Sequence, residues 1–186
     1  MRTAEEMYNY CLENGFGQGI SHSWAIKHFS IIENNLQADE EPLMCFIGLH
    51  NYVSIAKHDK NYAYVVTNKR ILLAQQRLIG ESFYSILPDR LNDVKLGAGM
   101  LLGVITIDTM NETFNVMVGR AHAKNINEKI HEALALSKQG SMKSNEPDSN
   151  SNSAADEIKK YKGLLDMGAI TQEEYEMKKK QLLGLD

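Results

Sequence analysis

The residues of this chain that could do chemistry are scattered, and their spacings exclude most of it. Gly15-x-Gly17-x-Gly19 could cradle a phosphate, but no strand precedes it and the spacing is not that of a dinucleotide motif. A joint between two helices is the ordinary account. Gly97-Ala98-Gly99-Met100-Leu101-Leu102-Gly103 has no Lys-Ser/Thr after it, which excludes a P-loop and leaves a turn. His22 and His28, and likewise His122 and His131, lie on shared helical stretches, yet neither spacing is that of ligands on one helical face. His50 and His58 flank a loop and read as surface histidines. Cys11 and Cys45 have no ligand-spaced neighbours and sit in apolar stretches, where a free thiol behaves as a small hydrophobe. No Ser/His/Asp or Cys/His set is defined by order alone, because such sets are recognised by geometry. The expectation is a non-enzymatic chain with no catalytic residue, no cofactor and no metal.

The cations are more suggestive. Lys57, His58 and Lys60 fall in one expected loop, Lys69 and Arg70 in the neighbouring hairpin, and Arg77 ends that strand. Lys57, Lys60, Lys69 and Arg70 are therefore a candidate anion-binding set, suited to a membrane surface or another anionic ligand. Asp59 dilutes it, and solvated turn charges are the ordinary account. Lys178-Lys179-Lys180 ends a helix, where cations complement the macrodipole. A formal net charge of −4 argues against a nucleic-acid binder with a basic surface. The N-terminus has no apolar leader, and no run reaches the roughly 18 apolar residues of a spanning helix, so the expected location is cytoplasmic.

These residues must be positioned by elements that the periodicity makes visible. Thr3 to Asn14 is an amphipathic helix with capping-box spacing at Thr3 and Glu6, an apolar face of Met7, Tyr8, Cys11 and Leu12, and Gly15 as its stop. Ser23 to Leu36, capped by Ser23, carries Ala25, Phe29, Ile32 and Leu36 on one stripe. Seven strand-like runs follow: 43–50, 61–67, 70–77, 81–87, 93–96, 101–108 and 112–118. Asn68-Lys69 has the length of a hairpin turn, and Asn tolerates the positive φ of a primed turn. Short connections predict an antiparallel meander. Arg120 to Lys138 is a helix with Ala123, Ile126, Ile130, Ala133 and Leu134 on its apolar stripe. Residues 139–153 are Ser- and Asn-rich with almost nothing to bury, and are expected to be a disordered linker. Residues 154–186 form a helical hairpin in which Thr171 and Glu174 make a second capping box and Ile170 and Tyr175 a hydrophobic staple. The expected divisions are 1–42, a helical segment; 43–138, the β domain; 139–153; and 154–186.

Two stretches resemble known families. Tyr62-Ala63-Tyr64-Val65-Val66-Thr67-Asn68-Lys69-Arg70-Ile71-Leu72-Leu73, then Leu101-Leu102-Gly103-Val104-Ile105-Thr106-Ile107 and a final helix, is similar to the bacterial PH-like domain of the YokE type. The resemblance spans about 43–136 and implies an α+β fold: a bent antiparallel β half-barrel capped by the last helix. The tail, with its Leu-rich helix, Gly168 turn, Ile170-Thr171-Gln172-Glu173-Glu174-Tyr175 and Leu182-Leu183 end, resembles the short C-terminal (SHOCT) domain. Together they imply a bacterial or prophage protein that binds other proteins and copies of itself, leaving open whether it regulates or inhibits host proteins. A hairpin of about 30 residues is below the roughly 40 at which domains fold unaided. Leu164, Leu165, Ile170, Tyr175, Leu182 and Leu183 therefore need a cover, and are the expected oligomerisation or partner-binding residues. The anion-binding set above is the alternative function.

Overall fold

The computed structural model describes residues 1–17, 19–98, 102–143, 158, 161, 162, 165 and 171–183, with the backbone alone at 98, 138–143, 182 and 183. The chain divides into two compact units, Met1–Ser141 and Met142–Asp186.

The first unit opens with α1 (Ala4–Asn14) and α2 (His22–Asn35). The expected capping box is present: the Glu6 N–H donates to Thr3 Oγ1 and the Thr3 N–H to the Glu6 carboxylate. Gly15 takes φ 71°, a left-handed conformation that only glycine adopts without strain. The cap of α2 is Ser21, not Ser23; the helix begins two residues earlier, with the Trp24 N–H on Ser21 Oγ. The glycine-rich connection between the helices is also less free than its composition suggests. Phe16 is buried, and its carbonyl accepts the Ile47 N–H at 2.9 Å.

Seven strands follow: β1 (Pro42–Leu49), β2 (Asn61–Thr67), β3 (Ile71–Gln76), β4 (Glu81–Ile86), β5 (Leu91–Ala98), β6 (Leu102–Thr109) and β7 (Thr113–Gly119). Each predicted run overlaps one of them, and β5 is twice as long as the run 93–96 predicted for it. The sheet order is β4-β3-β2-β1-β7-β6-β5, antiparallel throughout. It is thus two meanders joined through β1 and β7, rather than one. Pro88–Arg90, a single turn of 3-10 helix, breaks the ladder after β4, so β5 starts at the far edge. The result is a PH-like antiparallel half-barrel followed by α3 (Arg120–Lys143). That helix runs past Lys138, into the stretch whose composition suggested linker, because adding residues to an existing helix costs far less than starting one. The linker residues from 144 to 153 lie outside the described residues.

Burial explains the first three strands. β1, β2 and β3 are buried on both faces, whereas β6 and β7 alternate between buried and half-exposed. Because strand side chains alternate, β1–β3 present two apolar faces. Cys45, Ile47, Ala63, Val65, Leu72 and Ala74 lie on the face against α1 and α2, where Cys45 Sγ meets Met1 Sδ at 3.4 Å. Phe46, Tyr62, Tyr64 and Leu73 point into the half-barrel, with Phe46 stacked on Tyr64 at 4.6 Å. The N-terminal helices therefore belong to the β domain's own core rather than to a separate segment. α3 adds Ala123, Ile126, Ile130 and Ala133 to that core. It approaches β6 so closely that a side chain at Gly103 would strike Ala123.

In the second unit, α4 (Gln172–Leu183) begins with the expected capping box: Thr171 N–H to the Glu174 carboxylate at 2.8 Å, and Glu174 N–H to Thr171 Oγ1 at 3.3 Å. Tyr175 is buried and Leu165 half-buried. Leu164 and Ile170 lie outside the described residues, and Leu182 and Leu183 are described as helical backbone. Among the described residues, no helix is long and apolar enough to cross a membrane.

Candidate functional site

The four cations of the expected anion set do not meet. Antiparallel pairing puts the β1–β2 loop and the β3–β4 turn at one end of the sheet and the β2–β3 turn at the other. Lys57 and Lys60 are at the first end; Lys69 and Arg70 are at the second.

Lys69 and Arg70 are also already engaged. Thr67-Asn68-Lys69-Arg70 forms a clasp on residues 35–41, the chain between α2 and β1. Arg70 donates from Nε and a terminal nitrogen to the two oxygens of the Glu40 carboxylate, at 2.9 and 2.8 Å, and also to the Asn35 carbonyl. Thr67 Oγ1 donates to the same carboxylate at 2.9 Å. Asn68 Oδ1 accepts the Glu41 N–H at 2.8 Å, and Lys69 binds the Asp39 carboxylate and the Gln37 side chain. Glu40 is fully buried. Burial alone would raise its carboxyl, but hydrogen bonds from Arg70, the Gln37 N–H and Thr67 hold it below the usual carboxylate range. Neither Asn68 nor Lys69 takes positive φ, so the turn is not of the primed type. The Thr67 hydroxyl holds it instead, accepting the Lys69 and Arg70 N–H groups.

His50 is not a surface histidine either. It lies 1% exposed at the end of β1, among Tyr62, Tyr84 and Phe114, with ring centroids 4.2 to 6.1 Å away. Its Nδ1 is 2.6 Å from the Tyr64 hydroxyl. Burial pushes its pKa down to about 4, so the ring is neutral at pH 7. His28 is likewise buried and stacks on Trp24 at 3.5 Å. Cys11 and Cys45 are buried, and burial raises both thiols, Cys11 to about 12. Among the described residues, no group of three His, Cys, Asp or Glu side chains converges as metal ligands would.

The end carrying Lys57 and Lys60 remains open. The β1–β2 loop is folded back on itself by Val53 N–H to Lys57 C=O and Asp59 N–H to His50 C=O, and a tight turn at 54–57 lifts Ile55 to its tip. The β3–β4 turn is closed by Arg77 N–H to Gly80 C=O, with Gly80 at φ 74°, and it raises Leu78 and Ile79. Exposures are 65% at Val53, 81% at Ile55, 103% at Leu78 and 90% at Ile79. Turn tips normally carry Gly, Asn, Asp or Ser, so four apolar side chains there need a reason. A recess of about 580 Å³ opens beside Leu78, lined by Trp24, His28, His58, Lys60, Gln75 and Arg77 among others. A second, of about 610 Å³, is lined by Ile26, Lys27 and Ser30 and shares Gln76, Arg77 and Leu78 with the first. No carboxylate lines either recess. The sequence placed Lys57, Lys60 and Arg77 in this region but missed Trp24, Lys27, Val53, Ile55, Leu78 and Ile79. The legible signal was an apolar pair, Leu78-Ile79, at the tip of a hairpin.

A half-barrel of two meanders with a following helix is the architecture of the pleckstrin-homology class. Residues 36–132, more than half of the chain, match the family model for the bacterial PH domain, and the chain belongs to that family. Residues 156–183 match the short C-terminal domain. Domains of both kinds are protein or lipid interaction modules. The chain is similar in structure to a DUF1696 family protein with a pleckstrin-homology domain from Shewanella loihica PV-4: TM-score 0.39, 12% identity, covering 57% of this chain and 86% of that one. It is also similar to the hSac2 domain of the human phosphoinositide phosphatase Sac2: TM-score 0.42, 13% identity, covering 66% and 86%. No curated protein matches at a significant level.

Proposed function

We propose that this is a non-catalytic interaction protein of bacterial or prophage type, in which the tail joins copies of the chain and the PH-like unit engages their target. Regulation or inhibition of host proteins is the role such a protein would serve. The observation that carries the reading is the SHOCT-matched tail, with a capped helix and, besides the buried Tyr175, five apolar positions in a segment too short to bury them alone. Burying a Leu side chain contributes about 1.5–3 kcal/mol. Tyr175 is already covered within the chain; Leu164, Leu165, Ile170, Leu182 and Leu183 are stabilising only under a cover, and a second copy supplies an identical face. Light scattering on the full-length protein is expected to give a dimer or larger. Replacing Leu164 and Leu182 with Glu is expected to lower that mass while circular dichroism of the β domain stays unchanged. A monomeric wild type at micromolar concentration would overturn self-association and favour a foreign protein on the same residues.

A further inference from the structure

We infer that the seam between β1 and β7 is a binding site for a compact, uncharged heteroaromatic ligand of one or two fused rings. The ligand is received between the two strands, the Gly15–Gly17 connection and the start of α3. The site goes beyond the protein-binding role proposed for the chain and does not depend on it. It shares only Leu49 and Asn61 with the recess beside Leu78.

Among the described residues, β1 and β7 are joined at one register pair, Leu49 with Met117. Gly48 allows β1 to come this close, since a Cβ there would lie 2.5 Å from Val116. Past that pair β7 leads into α3, and β1 is met instead by Phe16, whose carbonyl takes the Ile47 N–H. The strands and the connection between α1 and α2 leave a cavity of about 240 Å³ among them. That is below the roughly 300–1,000 Å³ of sites for drug-sized molecules, and it suits a ligand of one or two rings. Gly15, Gly17, Gly48 and Gly119 all line it, so much of the wall is peptide backbone that a flat ligand can approach closely. Gly15 and Gly17, whose spacing is wrong for a dinucleotide motif, thus have a place in a site of another kind. No Lys, Arg, Asp or Glu lines the cavity, which favours an uncharged occupant. Two half-buried polar side chains do line it, the His122 imidazole and the Asn61 carboxamide, and neither has a hydrogen-bond partner among the described residues. The His122 ring packs over Gly15, where a Cβ would lie 2.6 Å from it, so contact rather than a hydrogen bond fixes its place. A carboxamide offers a donor and an acceptor side by side, the pair that the edge of a heteroaromatic ring answers. Met117 lines the cavity as well, and a thioether is a favourable neighbour for an aromatic ring. Gly15, Phe16, Gly17 and Ile20 precede residues 36–132, so one wall of the site comes from outside the family-matched segment.

Adenine, indole and nicotinamide, each uncharged at neutral pH, are the probes. Titrated into the isotope-labelled full-length protein, at least one is expected to shift the backbone amide signals of Gly15, Gly17, Gly119 and His122 saturably, and to raise the melting temperature. Gly119→Val is expected to abolish those shifts without lowering the melting temperature of the free protein. A Cβ at 119 meets only His122 Cδ2, at 4.0 Å, so the new side chain fills space beside His122 without a clash. Asn61→Ala is expected to weaken binding by roughly tenfold, the worth of one lost hydrogen bond. Leu87→Ala, at an exposed position outside the cavity lining, is expected to leave it unchanged. Absence of shifts with all three probes would overturn the inference, as would shifts confined to other residues. Undiminished binding by a folded Gly119→Val protein would do the same. Should that variant fail to melt cooperatively, Asn61→Ala decides, and undiminished affinity there overturns the inference. Benzoate binding more tightly than the uncharged probes, or adenosine monophosphate more tightly than adenine, would show an anion site and overturn it as well. Self-association measured by light scattering is independent of all these outcomes, so failure here is distinguishable from failure of the tail's proposed role.

Discussion

Two buried titratable residues set the acid stability of this protein in different ways. His50 is neutral in the fold with a pKa near 4, and in the unfolded chain it titrates near 6.5. The unfolded state therefore gains its proton first as pH falls. Stability from this residue is full above about 6.5, declines from there, and is exhausted near 4, for a total on the order of 3 kcal/mol. Glu40 has its folded pKa lowered below 4.5, so its contribution is present above 4.5 and is lost only as pH falls further. Urea unfolding at pH 7, 5.5 and 4.5 should show the first loss before the second begins. His50→Phe should flatten the curve between 6.5 and 4.5, at a fixed cost from the Tyr64 hydroxyl it leaves without its partner. Removing one side of the clasp is a harsher change. Arg70→Met leaves a buried carboxylate unpaired and should cost about 3–5 kcal/mol, whereas Arg70→Met with Glu40→Leu should recover much of that. If the single and double variants unfold at the same urea concentration, the pair is not what holds the turn.

Among the elements, the N-terminal helices are the ones whose importance exceeds what their sequence announced. Their own amphipathic stripes were legible in large part: of Ala25, Phe29, Ile32 and Leu36, expected on one face, the first three are fully buried and Leu36 is half-buried past the helix end, whereas Leu12, expected on the apolar face of α1 with Met7, Tyr8 and Cys11, is 55% exposed. What they pack against was legible as well, though in a different place. Met44-Cys45-Phe46-Ile47 and Ile71-Leu72-Leu73-Ala74 are unbroken apolar runs, and a strand with one solvent-facing side would alternate, as Thr113 to Gly119 does. Pairing needs could be inferred from each element; the β1–β7 junction could not, because it rests on distant residues such as Leu49 and Met117. The clasp was hidden for the same reason. Thr67-Asn68-Lys69-Arg70 has the look of a turn with free charges, and only the return of residues 35–41 to its side shows that those charges are occupied. Phe29→Ala should cost about 3–5 kcal/mol in urea unfolding, since the ring is fully enclosed between helix and sheet. A chain beginning at residue 36 should be insoluble or lack a cooperative melt. A well-folded product would mean that α1 and α2 only decorate the sheet.

For the whole molecule, every member of the large core cluster lies between Ala4 and Ala133. A chain ending at Lys143 should therefore melt within a few degrees of the full-length protein, as followed by circular dichroism at low concentration. A larger drop would show that the tail stabilises the first unit. The core also reaches across the start of the family-matched segment, because Cys45, Ile47, Ala63 and Val65 on one side and Met7, Cys11, Phe29 and Ile32 on the other are one packed body. This has a consequence for how such a protein can be shuffled between genes. A recombination junction placed near residue 36 would hand a new host protein a sheet with one bare apolar face, whereas a junction between Lys143 and the tail would transfer a sealed unit. Natural fusions that reuse this module should accordingly carry α1 and α2 with it, or supply two other helices in their place, and should exchange the tail freely.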